Sequence, residues 1–100
     1  MNRCGWVYII TNKTNSVLYT GVSSDLVSRI QKHIEEYYEK SFSAKYKVNK
    51  LVYYCLFDAI ADAIAEEKRI KAGNRTNKIK LIESINPGWR DLWLTEVSKW

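Results

Sequence analysis

Two runs of β-branched and aromatic residues, GWVYIIT (Gly5–Thr11) and VLYTGV (Val17–Val22), flank the polar segment NKTNS. Turn formers between two strand-like runs predict an antiparallel hairpin. Pairing about Lys13 and Thr14 sets Tyr8 opposite Tyr19. Directly opposed residues share a face, with Cβ atoms about 4.5–5.5 Å apart. Two phenols so placed either pack as ordinary cross-strand aromatics or meet at a common site.

The chain after the hairpin turns helical. Ser23 or Ser24 is positioned to cap, with Asp25 in the first turn, and the helix is expected to run to about Tyr38. Leu26, Ile30, Ile34 and Tyr37 form its apolar stripe. His33, the only histidine, lies on that stripe, and Arg29 lies on its edge one turn earlier. LVYYCLF (Leu51–Phe57) reads as a third strand. Asp58 is expected to cap a helix from about Ala59 to Lys71, ended by Gly73, and NRTNKIKLIESI as a further helix, stopped by Asn86-Pro87-Gly88. The tail WRDLWLTEVSKW predicts a final short helix. The order β-β-α-β-α-α gives an α+β fold, a small sheet with helices packed on it, as one domain over residues 1–100.

On the second long helix Glu67 falls near the middle of the apolar face and Glu66 outside it. A carboxylate turned toward a core costs several kcal/mol unless compensated. An arginine, hydrogen-bond donors or a divalent cation would serve, and a structural ion pair with Arg29 is the plainer alternative. Two phenols, an arginine, a histidine and an inward carboxylate suit phosphodiester hydrolysis. The carboxylate holds Mg²⁺ or Mn²⁺, the arginine stabilises charge on phosphate, and a general base handles water.

Charge agrees with an anionic partner. Sixteen Lys and Arg stand against eleven Asp and Glu, a net charge of +5, which suggests nucleic acid or simply a basic surface. Lys45, Lys47, Lys71, Arg75 and Lys78 are the candidates to follow phosphates. Trp89, Trp93 and Trp100 read as closing the core, with stacking on bases the alternative. Cys4 and Cys55 show no metal-ligand spacing and no disulfide framework, although one bridge between them stays open. The absence of a signal peptide and of an apolar run near ~18 residues predicts a cytoplasmic protein without a membrane partner.

At these residues the chain resembles the GIY-YIG nuclease superfamily, in its small stand-alone bacterial form. The first motif stands as Trp6-Val7-Tyr8 and the second as Tyr19-Thr20-Gly21, with the tyrosines eleven apart. SDLVSRIQKH places Arg29 and His33, and AEEKRIK places Glu67. Trp6, Val7 and Thr20 depart from the motif at backbone or packing positions. The resemblance implies a three-stranded antiparallel sheet flanked by helices and cleavage of DNA phosphodiesters with one divalent ion, Mg²⁺ or Mn²⁺. It implies that Glu67 holds the metal and Arg29 meets the scissile phosphate. Tyr8 is then the base or water-orienting phenol, Tyr19 positions water or phosphate, and His33 supports the phenols or shuttles a proton. An ordinary phenol costs about 4 kcal/mol to ionise at pH 7. Repair or recombination is the expected setting, not separated from mobile-element roles, and the expected partner is DNA, with branched and single-stranded forms among the options. Weak intrinsic specificity, structure selectivity and a separate targeting protein all stay open. The alternative is a nucleic-acid-binding module of the same fold with little or no cleavage of its own.

Overall fold

Alternation along the first strand decides the layout. β1 (Gly5–Thr11) sends Trp6, Tyr8 and Ile10 to one face and Val7 and Ile9 to the other. The computed structural model describes residues 3–35 and 47–100, and in it both faces of β1 are covered. A strand covered on both faces belongs in the middle of its sheet. β2 (Leu18–Ser23) and β3 (Lys50–Phe57) flank it in the order β2-β1-β3, both antiparallel.

The first face packs Tyr8 and Ile10 against Leu26 and Ile30 of α1 (Leu26–Ile34), Leu92 of α4 (Leu92–Thr95) and Val97 of a closing 3₁₀ turn. The second packs Val7 and Ile9 against Ala63 and Ile70 of α2 (Ile60–Ala72) and Ile82 of α3 (Arg75–Ile85). The result is the expected three-stranded antiparallel sheet with helices on it, in the order β-β-α-β-α-α. A fully buried Ile or Leu contributes about 1.5–3 kcal/mol, so these two layers carry most of the fold. A register shift between Ile9 and Ile10 pairs them with Tyr53 and Leu51, which lets Leu51 join the first layer while Val52 and Tyr53 join the second. Asn86, buried beyond α3, donates from Nδ2 to the Val52 and Arg90 carbonyls at 3.1 and 2.9 Å, fastening the helix end to β3.

The hairpin register corrects the expected one. Tyr8 faces Gly21, and Tyr19 faces Ile10. The turn is longer than a two-residue loop because Asn12 organises it. Its Oδ1 accepts from Ser16 N at 2.8 Å and Val17 N at 3.1 Å, and Asn15 N donates to the Asn12 carbonyl at 3.0 Å. Asn15 adopts φ 60, a left-handed conformation that asparagine tolerates. The shift is two residues, so every side chain keeps its face, and Tyr8 and Tyr19 become diagonal neighbours.

Two caps also differ from expectation. Asp25, not a serine, caps α1, its Oδ1 accepting from Ser28 N at 3.1 Å, while Ser23 ends β2 and bonds the Asp25 backbone. Asp58 does not cap α2. The cap residue is Ala59, with no side-chain bond, and Ile60 N instead donates to the Arg3 carbonyl at 2.7 Å. Helix α1 is described to Ile34, and the expected continuation to Tyr38 lies outside the described residues. Cys4 and Cys55 are free thiols.

Candidate active site

Tyr8 sits mid-strand with no solvent exposure. Its ring lies across Gly21, where an added Cβ would come within 2.4 Å of both Cζ and Oη. Glycine is there because the phenol needs the space. Tyr8 Oη shares a hydrogen bond of 3.1 Å with His33 Nε2. His33 follows Arg29 by one turn of α1, so one helix face delivers both. The imidazole centroid lies 5.8 Å from the Tyr8 ring and 5.8 Å from the Tyr19 ring. The register shift therefore separates the phenols along the sheet yet leaves both beside one histidine.

Burial pushes the Tyr8 phenol up to about 12, against the opposing pull of Arg29, with Tyr19 and Glu67 pushing in the same direction as burial. Burial, reinforced by Arg29, pushes His33 down to about 4. Both groups are neutral at pH 7. Nδ1 of His33 is buried with no hydrogen-bond partner among the described residues. Such an atom costs about 1–3 kcal/mol, so it asks for a functional or structural reason.

The histidine also fixes a pH dependence. Its unfolded value is about 6.5 and its folded value about 4. Between these the unfolded chain binds more protons, so stability is lost as pH falls from 6.5 toward 4. The full loss from this group is about 3 kcal/mol. Tyr8 acts at the other end, its contribution present below pH 10 and lost as pH rises through about 12. We expect His33→Phe to flatten the acid limb relative to the parent protein in urea denaturation at pH 7 and pH 4.5. Parallel acid limbs would assign the titration to other groups.

Glu67 brings the carboxylate. Its side chain is 15% exposed and lies 3.5 Å from Lys71 Nζ, one turn further along α2. Lys71 Nζ in turn lies 5.9 Å from the centroid of the Tyr19 ring. Glu66, 21% exposed, is engaged elsewhere, bidentate to Arg69 at 2.6 and 2.7 Å, and Glu67 is the carboxylate that acts on Tyr8. Its ion-pair partner is Lys71 and not Arg29. Among the described residues no group of three His, Cys, Asp or Glu is arranged to hold a metal ion. One carboxylate makes no all-protein cage, but it suits Mg²⁺ or Mn²⁺, which keep several waters and share substrate phosphates.

Tyr19, Arg29 and Glu67 thus all act on the Tyr8 phenol through charge, and Tyr8 and Tyr19 both lie beside His33. The basic candidates scatter. Lys71 joins the pocket, Arg75 Nη2 donates to the Asn15 carbonyl of the hairpin turn at 2.9 Å, and Lys78 Nζ donates to the Gly73 carbonyl at 3.3 Å. Lys47 is exposed at φ 58, and Lys45, like Tyr37, lies outside the described residues. Trp89 and Trp93 pack against the second and first layers as expected, whereas Trp100 is 57% exposed and leans on Trp6 and Tyr54. Gly21 entered the sequence reading only as part of the second motif, with no role of its own. The signal for it was a glycine inside a β run, which marks close approach.

A small antiparallel sheet buries a phenol against a histidine, with an arginine and a glutamate acting on the same oxygen, in an α+β domain. The chain belongs to the GIY-YIG family: the GIY-YIG catalytic domain matches residues 4–80. It is 38% identical to the UPF0213 protein SSP2268 of Staphylococcus saprophyticus over 81 residues, covering 77% of this chain and 92% of the relative. The UPF0213 protein SH2523 of Staphylococcus haemolyticus is 35% identical, over 78% of this chain and 93% of the relative. The solution NMR structure of the UPF0213 protein BH0048 from Bacillus halodurans superposes with a TM-score of 0.56 at 25% identity, covering 88% of this chain and 92% of that one. Among the described residues no helix is long and apolar enough to cross a membrane.

Proposed function

We propose that the protein binds nucleic acid across the half-buried Tyr19, Arg29 and Glu67, which act on the buried Tyr8, and that this site hydrolyses a DNA phosphodiester with a divalent cation. Binding has the broader support, from family membership and the net charge of +5. Cleavage is supported by one observation above others: Tyr8, hydrogen-bonded to His33, feels Arg29 and, more weakly, Glu67, while His33 feels Arg29. Branched or single-stranded DNA, in repair or recombination, is the proposed substrate.

Glu67 would hold Mg²⁺ or Mn²⁺. The ion supplies Lewis acidity at a phosphate oxygen. Arg29 presents a fixed guanidinium to the charge that grows on the phosphate. Tyr8 orients water through its oxygen lone pair. Ionising the phenol outright at pH 7, from about 12, costs about 7 kcal/mol. Protonating Nε2 of a His33 near 4 at pH 7 costs about 4 kcal/mol, in addition to deprotonating the water itself. Neither group is therefore a strong base on its own, and the geometry supports Tyr8 as the orienting phenol with a neutral His33 holding its hydroxyl.

A binding module with little cleavage of its own is the second reading. The contact between Lys71 and Glu67 favours it, because an ammonium already answers the carboxylate. The test separates the two. Labelled duplex and branched DNA are incubated with the protein in EDTA, Mg²⁺ or Mn²⁺, and retention and strand scission are read together. We expect salt-sensitive retention in EDTA and scission only with the cation. Retention without scission in every condition selects the second reading, and no retention even at low salt removes both.

A further inference from the structure

Helix α2 offers different chemistry on its two flanks. One carries Glu67 and Lys71 to the pocket. The other faces α3 across a groove of about 420 Å³, within the size range of ligand sites, about 300–1,000 Å³. Ile70 and Leu81 give its apolar surface, while Arg69, Asn77, Lys78 and Lys80 line its polar side, and no carboxylate lines it. The Arg69 charge is offset by its fork onto Glu66. Lys78 is held at the end of α2 by the Gly73 carbonyl, which uses one of its three N–H donors. Among the described residues no carboxylate pairs with Lys78 or Lys80. The groove therefore presents two uncompensated ammonium groups and an amide.

We propose that this groove is a second nucleic-acid contact, taking the sugar–phosphate backbone of the strand whose scissile phosphate lies in the pocket. It rests on the nucleic-acid reading above and extends it. The chemistry selects the backbone rather than a base, because no aromatic side chain lines the groove for stacking. An apolar protein segment is disfavoured, since it would strip water from two unpaired charges. Ammonium and amide donors match phosphate oxygens. The groove lies on the other flank of α2 from Glu67, so it would meet the backbone away from the reacting phosphate rather than at it.

Fluorescence anisotropy with a labelled duplex in EDTA, over a series of salt concentrations, tests this. Lys78→Gln with Lys80→Gln is expected to reduce the slope of log affinity against log salt by about two, and to weaken binding about tenfold or more near ~0.1 M salt. Because Lys78 also fastens Gly73, the exposed Lys80→Gln alone is measured too, with an expected slope change of about one. Thermal melts establish that both variants are folded. An unchanged slope in folded Lys80→Gln overturns the groove assignment and leaves the pocket reading intact. Failure of the parent protein to bind the duplex overturns both.

Discussion

Gly21→Ala is expected to lower the melting midpoint by roughly 5–20 °C. The added methyl would meet Tyr8 Cζ and Oη at 2.4 Å. A flexible side-chain tip could yield, but this one is fully buried and hydrogen-bonded to His33. Overpacking of this kind costs about 1–3 kcal/mol, and each kcal/mol moves the midpoint of a domain of this size by about 4–8 °C. Gly88→Ala is the control, since its Cβ would meet nothing closer than Arg90 Cγ at 3.7 Å. Circular-dichroism melts of both variants decide the matter. A Gly21→Ala protein that melts with the parent would show that the phenol leaves its seat without cost, and with it would go the claim that the glycine positions Tyr8.

Arg29→Ala is expected to slow DNA cleavage by about 10²–10³-fold, the usual consequence of removing one preorganised donor from a transition-state oxygen. Glu67→Gln should remove the response to Mg²⁺ and Mn²⁺ while sparing retention in EDTA. Single-turnover scission measures both. Arg29→Ala carries a second signature that needs no DNA. Arg29 holds the His33 imidazole down and also favours ionisation of Tyr8. Its loss should raise the histidine titration seen by NMR and move the phenol further from ionisation. Cleavage that persists in both variants would place the chemistry outside this pocket. An unmoved imidazole titration would place the guanidinium away from it.

Much of this was legible because periodicity reports faces. Alternation put Tyr8 and Tyr19 on one side of the hairpin, and the helical repeat singled out Glu67, the carboxylate that acts on Tyr8. Neither pattern reports offset along an element. Pairings two residues apart have identical face patterns, so Gly21 could not be separated from Tyr19 as the neighbour of Tyr8 until Asn12 was seen to build the turn. Caps failed for another reason. Ser23, Ser24 and Asp25 all have the chemistry, and geometry alone picks Asp25. The first amide of α2 is satisfied by the Arg3 carbonyl, a partner that no local window contains. The link from Lys71 to Glu67 and Tyr19 depends on rotamers, which spacing does not encode.

Kinship and folding draw different borders on this molecule. The family signature stops at residue 80, yet Leu92 and Val97 lie in the same apolar cluster as Tyr8. The insulation around the phenol is thus completed by a tail outside that signature. Changes in the tail that touch no reacting group can still alter how dry the phenol is, and so how readily it gives up a proton.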